Sequence, residues 1–267
     1  MARDCDWVAP LFVPGDWPER FAKAAQSGAD AVILDLEDAV APAAKAAARE
    51  AIVADFTDLP VIVRVNAPET PWHADDLAAV ARLPFAAVMI PKSELGGALE
   101  SVIERNLPLP VVALVESAKG LADARGVAAL PGVARLVFGS IDFCADLGCA
   151  HTRQALLAAR SELVLASRLG GKTAPVDGVT TSLEDAALIA DDAAHSREMG
   201  FGGKLCIHPR QVEHVLPAFY PSEAEIEWAE KVLASGDGVA RVDGAMVDEP
   251  VRIRARALIA RARARRA

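Results

Sequence analysis

The sequence is poor in aromatic residues and cysteines, and each scarcity narrows the possible functions. Aromatic residues make up 5% of the 267-residue chain, so we expect an aliphatic core. The four cysteines form no CxxC pair and show no metal-ligand spacing, which is typical of small buried side chains in a reducing compartment. The motifs GxSxG and HExxH, the P-loop and the EF-hand are also absent. The sequence therefore gives no support for nucleophilic serine or cysteine catalysis.

Long apolar segments are missing as well. No apolar run reaches the roughly 20 residues that a membrane span requires. The first residues, MARDCD, lack the apolar stretch of a secretory signal. We therefore expect a cytoplasmic protein with no membrane partner.

Positive charge is scarce except at the C-terminal end. The net charge is −9, yet residues 251–267 hold seven of the 28 lysines and arginines and no acid. The rest of the chain therefore has 21 basic against 37 acidic residues. An acidic body argues against nucleic acid as a partner, and an anionic substrate would have to be met by local positive charge.

What the sequence does contain is a series of eight short apolar runs, each followed by a helical stretch. This alternation predicts a (β/α)8 TIM barrel, because parallel barrel strands are buried along their length and carry functional side chains at their C-terminal ends. An open doubly wound sheet is less favoured, since no GxGxxG follows the first run. The runs are LFVPG, AVILDLED, VIVRVN, AVMIPK, VVALVE, RLVFGSID, APVDGVTT and KLCIHP.

The C-terminal part of the chain departs from this alternation. Residues 235–249 are polar and contain glycine, which predicts a linker that could move as a lid. The arginine-rich helix after it has an apolar stripe that needs a partner surface. We therefore expect a barrel catalytic domain over residues 1–234. Residues 235–267 would form a lid and a helix that packs on a neighbouring subunit of a homo-oligomer, such as a trimer or hexamer.

Two carboxylates at neighbouring strand ends indicate a metal site. Glu116 ends the fifth run and Asp142 ends the sixth. Adjacent parallel strands lie about 4.8 Å apart, so the two side chains could share one cation. With no histidine or cysteine beside them they suit Mg²⁺, which takes its remaining ligands from water and substrate. The alternative is that each carboxylate only caps a helix or pairs with an arginine.

A second acidic cluster, LDLED, ends the second run. Asp35 and Glu37 share one face of a strand because side chains alternate, and some of these acids could hold metal-bound water. Arg64, between valines in VIVRVN, could neutralise the cluster and grip a substrate oxygen bidentately. The alternatives are solvent-facing acids that cap the next helix, and an arginine that makes only a structural ion pair.

Basic residues near the first two βα loops could bind phosphates. Arg20, Lys23 and Lys45 lie there, although each is also compatible with an ordinary solvated helix charge. His208 and Pro209 end the eighth run, where a lone histidine is more often structural than catalytic.

Taken together, these segments resemble the HpcH/HpaI aldolase and citrate lyase family, in its citrate lyase beta-subunit-like branch. The resemblance runs from about residue 10 to about residue 250. It implies a Mg²⁺-dependent barrel enzyme that makes or breaks a carbon–carbon bond between an acyl-thioester enolate and a 2-oxo acid. The segments that carry it are LFVPGDWPERFAKAAQSGADAVILDLEDAV, VIVRVNAP, AVMIPKSE, ALVESAKG, FGSIDFCADLG and GFGGKLCIHPRQVEHV.

The resemblance also implies roles for individual residues. Glu116 and Asp142 match the family's metal ligands, and Arg64 matches its substrate-binding arginine. Glu37 and Asp38 match acids that support metal-bound water.

Other positions match the thioester end of the substrate. His208 and Pro209 correspond to a segment that lines the nucleotide end of coenzyme A, and the basic residues Arg20 and Lys23 would join them. Asp248 resembles a lid aspartate that relatives contribute from a neighbouring subunit, and it is the candidate base.

Several functions fit this pattern. The first is a lyase that cleaves malyl-CoA, citramalyl-CoA or a similar thioester into an acyl-CoA and a 2-oxo acid. The second is the citryl-cleaving beta subunit of a citrate lyase complex, which acts on an acyl-carrier-protein thioester. A catalytically silent assembly subunit and a CoA-free aldolase are weaker alternatives. Ile141 stands where many relatives have an acid, which leaves the substrate open.

Overall fold

The computed structural model of the chain describes residues 5–104 and 109–264. Its main sheet has eight parallel strands in chain order, and every apolar run singled out in the sequence overlaps one of them, as predicted. The strands are β1 (Leu11–Pro14), β2 (Val32–Asp35), β3 (Val61–Arg64), β4 (Ala87–Ile90), β5 (Val111–Val115), β6 (Val133–Phe138), β7 (Val176–Asp177) and β8 (Gly203–Lys204).

Helices follow the strands, as the alternation predicts. The sixth strand is followed by two helices rather than one, and within the described residues no helix has both the length and the apolarity needed to cross a membrane. The helices up to the eighth strand are α1 (Phe21–Ala25), α2 (Lys45–Ala51), α3 (His73–Val80), α4 (Ala98–Glu104), α5 (Ala118–Ala129), α6 (Ser140–Leu147), α7 (Arg153–Leu169) and α8 (Ala186–Glu198). The helix α9 (Pro209–Ala218) follows β8.

The sheet is curled, and an apolar cluster lies along its inner face. Strands β2 to β5 are buried along their whole length. Leu11 pairs in parallel with Cys206, and the Cys206 N–H donates to the carbonyl of Pro10 at 2.9 Å. Burial of such side chains is the main stabilising contribution to the sheet. The inward-facing strand residues include Ile33, Ile62, Met89, Val112, Leu114, Val137 and Val176.

The chain forms two compact units, Met1–Leu216 and Pro217–Ala267. This division places α10 (Glu223–Ala234) in the second unit, whereas the sequence-based boundary after residue 234 puts it with the barrel. The remaining elements of this unit are β9 (Ala240–Val242), β10 (Ala245–Val247) and α11 (Glu249–Ala264). Packing of residues 235–267 on a neighbouring subunit stays a prediction.

The segment predicted as a linker, residues 235–249, contains a β-hairpin in its central part. Strands β9 and β10 pair antiparallel there, joined by Asp243 and Gly244, whose φ angles are 48° and 84°. Positive φ at both central residues is what a tight type I′ hairpin turn requires. Val247 then packs into an apolar cluster with Ala229 and Val232, which orders the segment.

Candidate active site

A cavity of about 480 Å³ lies where the carboxyl ends of the parallel strands meet. Its charged side chains were all singled out in the sequence, Ser140 adds a hydroxyl group, and its remaining walls are mainly apolar, including Phe12, Leu114, Ile141 and Ile207. The acidic and basic residues that line it are Asp35, Asp38, Arg64, Glu116 and Asp142.

The register of β2 and β3 brings Asp35 and Arg64 together. They are Cα partners at the last positions of the two strands. The Nε and Nη2 atoms of Arg64 each donate to one Asp35 carboxylate oxygen at 2.7 Å, and the N–H groups of Glu37 and Ala39 also donate to Asp35. Burial alone would raise the pKa of the Asp35 carboxyl, but Arg64 and these backbone donors hold it below its ordinary value.

Arg64 therefore has little of its bidentate face left for a substrate. Its Nη1 atom lies 3.0 Å from Glu37 Oε2 and 3.2 Å from Asp38 Oδ2. Burial opposes the charge of Arg64, but the three neighbouring acids raise its pKa well above the ordinary value. The ion pair between Arg64 and the LDLED acids, which the sequence suggests, is therefore present. A substrate oxygen would meet single N–H groups of Arg64 rather than two parallel donors of a free guanidinium group.

Glu116 follows β5 and is held by the backbone of the neighbouring loop. Its Oε1 atom accepts a 2.8 Å hydrogen bond from the N–H of Lys92, a residue in the left-handed region with φ 47°. Burial raises the pKa of Glu116 to about 7, with a further contribution from the charges of Asp142 and Asp38. The Lys92 N–H and Arg64 oppose this shift. For Glu37, burial likewise raises the pKa to about 8.

The sequence suggests that Asp142 lies at the end of the sixth strand, but the structure places it elsewhere. Strand β6 ends at Phe138, and Asp142 lies in the first turn of α6. This turn is anchored by Ser140, whose Oγ lies 2.9 Å from His151 Nε2. Burial, followed by the charge of Asp38, raises the pKa of Asp142. The first turn of α6, and not the end of β6, thus presents the Asp142 carboxylate to the cavity.

The donor set of the cavity fits a hard divalent cation. Glu116 and Asp142 offer carboxylate oxygens, and burial, followed by the charges of neighbouring acids, raises the pKa values of both, so a cation would stabilise their ionised forms. Among the described residues, the buried Glu37 Oε2 has an ion pair with Arg64 Nη1 but no well-directed hydrogen bond, so it could accept one from metal-bound water. Over the same residues, no cluster of three or more histidine, cysteine or acidic ligands exists, so water and substrate would supply the other ligands.

A second cavity, of about 440 Å³, brings together the residues expected to bind the nucleotide part of coenzyme A. Arg20, Lys23, His208 and Pro209 all line it. The Arg20 guanidinium stacks 3.8 Å from the ring centroid of Trp17, another lining residue. This cavity has positive side chains, whereas the first is acidic.

The two cavities share three lining residues, so they adjoin one another. Phe12, Pro14 and Ile207 line both. A ligand with an anionic nucleotide end and a small acyl end could therefore lie across Ile207.

Gln211 fixes the loop between β8 and α9, a role that no motif in the sequence indicates. Its Oε1 accepts from the N–H groups of Ile207 and His208, at 2.8 Å and 3.3 Å. Its Nε2 donates to the carbonyls of Thr180 and Ser182. One buried amide thus ties the wall between the cavities to the loop after β7.

Lys45 is not a solvated phosphate ligand, which corrects the expectation from the sequence. Its Nζ is buried and donates to the carbonyls of Leu36 and Glu37, both at 2.7 Å. It also lies 5.3 Å from the centroid of the Trp72 ring. Burial lowers the pKa of Lys45, although the nearby acids oppose this. Lys45 thus supports the backbone of the acidic cluster from behind.

Asp248 lies in the second compact unit, where it caps a helix. Its Oδ1 accepts a 3.3 Å hydrogen bond from the N–H of Val251, at the start of α11. A role for Asp248 as a catalytic base stays a prediction.

The curled parallel sheet, with an acid-lined cavity at its carboxyl end, places the chain among the α/β enzymes. More narrowly, the chain belongs to the HpcH/HpaI aldolase/citrate lyase family, whose family model matches residues 9–209.

Relatives and solved structures agree over nearly the whole chain. A citrate lyase subunit beta-like protein of Deinococcus radiodurans is 40% identical over 93% of this chain and 95% of its own. A (3S)-malyl-CoA thioesterase of Cereibacter sphaeroides is 37% identical over 95% and 94%. The crystal structure of CitE from Mycobacterium tuberculosis in complex with magnesium, acetoacetate and coenzyme A is similar at a TM-score of 0.87. It is 36% identical, with 97% of this chain and 99% of that chain covered.

Proposed function

We propose that the protein is a Mg²⁺-dependent carbon–carbon lyase. It would cleave, or form, a 3-hydroxyacyl-CoA thioester such as citramalyl-CoA or malyl-CoA, giving an acyl-CoA and a 2-oxo acid. The observation that carries this proposal is the pair of adjoining cavities, one acidic and one with Arg20 and Lys23. The coenzyme A and magnesium bound by the Mycobacterium tuberculosis relative support it.

The proposal includes a closed (β/α)8 barrel with a C-terminal lid. The hydrogen bonds between the Leu11 and Cys206 segments support closure, because they join the two ends of the sheet. The hairpin β9–β10 and α11 would form the lid of a neighbouring subunit in a homo-oligomer.

Glu116 and Asp142 would hold the metal. When bound, Mg²⁺ acts as a Lewis acid toward the oxygen that becomes the 2-oxo group. Arg64, fixed by Asp35, would donate an N–H to the same region as charge develops there. Glu37 and Asp38 would accept hydrogen bonds from water at the site.

Cleavage requires a proton to leave the substrate hydroxyl group. As the proton leaves, the carbon–carbon bond breaks, and the electron pair passes to the thioester as an enolate, which is then protonated. We assign the base to Asp248 of a neighbouring subunit. The substrate's phosphates would meet Arg20 and Lys23, and His208 and Pro209 would line the nucleotide.

A beta subunit of a citrate lyase complex is the second candidate, and the Deinococcus radiodurans relative favours it. Thioester hydrolysis is a third outcome to test, because one relative is named as a malyl-CoA thioesterase. The three reactions leave different products. A lyase releases a 2-oxo acid and no free thiol, a thioesterase releases a thiol and no 2-oxo acid, and the subunit needs a carrier-protein thioester.

The test is a panel of malyl-CoA, citramalyl-CoA and citryl-CoA with Mg²⁺, in which 2-oxo acid and free thiol are measured in parallel. We expect 2-oxo acid without thiol. The Glu116→Gln and Asp142→Asn variants should lose turnover and Mg²⁺ binding but keep the fold. Glu184→Gln, at an exposed acid outside both cavities, is the matched control. Full activity in either ligand variant would contradict the metal assignment.

A further inference from the structure

Two of the four cysteines meet at the C-terminal cap of α6. The helix ends at Leu147, and Gly148 follows in the left-handed conformation with φ 70°. The N–H groups of Gly148 and Cys149 both donate to the carbonyl of Cys144, the latter at 3.1 Å. A hydrogen bond across six residues with a left-handed glycine is the Schellman cap, which is frequently accompanied by a contact between the side chains of its first and last residues.

In this cap the two contacting side chains are thiols. Cys144 and Cys149 are both free of disulfide bonds, and their side chains are neighbours. Cys144 is buried, whereas Cys149 is partly exposed. A disulfide bridges Cα atoms about 4.4–6.8 Å apart. The hydrogen bond from the Cys149 N–H to the Cys144 carbonyl joins the two backbones, so we expect their Cα atoms to lie within this range.

We propose that Cys144 and Cys149 are a modification site, a dithiol that small-molecule disulfides convert into an intrachain disulfide. The Cys149 thiolate attacks one sulfur of the small disulfide and expels one thiolate. Cys144 then attacks the mixed disulfide at Cys149 and expels the second thiolate. Both cysteines lose their protons, and their two electrons reduce the small disulfide to two thiols.

The order of attack follows from exposure. Cys149 is partly exposed and accessible to a dissolved disulfide, whereas Cys144 is buried. Cys144 attacks second, because the mixed disulfide forms at Cys149, whose N–H is bonded to the Cys144 carbonyl.

The experiment exposes the full-length protein to oxidised glutathione and reads the cysteines by mass spectrometry after alkylation and trypsin. Both cysteines fall in one tryptic peptide, residues 136–153, because no lysine or arginine lies between Arg135 and Arg153. We expect this peptide to become about 2 Da lighter and resistant to alkylation. The peptides with the buried Cys5 and Cys206 should stay alkylated and serve as internal controls.

Two variants separate the steps. Cys144→Ser should stop at the mixed disulfide, so that the peptide gains one glutathione. Cys149→Ser should leave the peptide with Cys144 unmodified. Two glutathiones on the wild-type peptide, a bridge to another cysteine, or no reaction in excess oxidised glutathione would each overturn the proposal.

Discussion

Replacing Gly139 with alanine should disable the metal site while leaving the sheet intact. Gly139 joins β6 to α6 with φ −85° and ψ 70°, so alanine meets no positive-φ penalty there. A Cβ atom at this position would lie 2.4 Å from Glu116 Cβ and 2.5 Å from Glu116 Oε2. Real Cβ atoms essentially never approach other heavy atoms so closely, so Glu116 or the start of α6 must move.

The steric energy of the added Cβ should weaken mainly metal binding. The nearest atom is the Cβ of Glu116, which is attached directly to the backbone and cannot swing away as the end of a flexible side chain can. Overpacking of this kind typically costs about 1–3 kcal/mol. If that energy is spent in displacing the Glu116 carboxylate, Mg²⁺ affinity should fall by about 5- to 150-fold, since each 1.4 kcal/mol is about tenfold.

Isothermal titration calorimetry with Mg²⁺ measures this loss, and circular dichroism checks the fold. Gly126→Ala is the matched control. Its Cβ would lie 2.5 Å from Leu95 Cδ1, the end of a flexible side chain, and neither residue lines the acidic cavity. We expect normal Mg²⁺ affinity in the control. Unchanged affinity in Gly139→Ala would refute the reasoning, because it would mean that the site does not depend on the position of Glu116.

Three further predictions test the site. Arg64→Lys should lower turnover by on the order of 100-fold, because lysine cannot keep both bonds to Asp35; near-normal turnover would leave Arg64 only a charge-balancing role. Asp248→Asn, which still caps α11, should lose turnover as Asp248→Ala does, and mixing Asp248→Ala with Glu116→Gln should restore part of the activity if subunits exchange. Glu37 and Glu116, with pKa values raised to about 8 and about 7, bind more protons folded than unfolded. The Tm of the metal-free protein should therefore fall as pH rises from 6 to 8, and Mg²⁺ should raise Tm more at pH 8; an equal gain at both pH values would contradict this.

The sequence predicted the strands well, because strands buried on both faces leave continuous apolar runs. It misplaced Asp142 for a related reason. Ile141 and Phe143 continue the apolar character past Phe138, so the composition does not show that the strand ends there. The close approach of Gly139 to Glu116, which leaves no room for a Cβ, is a tertiary contact that the local sequence does not encode.

Other features depended on burial that local sequence does not encode. Lys45 and Gln211 are ordinary helix residues in the sequence, and only packing shows that their polar atoms bind buried backbone groups. The hairpin of the second unit could have been predicted from the sequence, since Asp243-Gly244 is a strong type I′ turn signal. The glycine and polar content of the segment instead suggested a flexible linker.

The acids of the site look alike in the sequence, yet their surroundings divide them into two kinds. Asp35 receives two bonds from Arg64 and two from backbone N–H groups, so its pKa is lowered and it stays charged. Burial is the main cause of the raised pKa values of Glu37 and Glu116, and Arg64, which already pairs with Asp35, opposes it only in part. A further positive charge within the cavity would favour the ionised form of both carboxylates near neutral pH. A divalent cation held by Glu116 and Asp142, as proposed, would supply that charge, so that a structural ion pair and a metal site could share one cluster of acids.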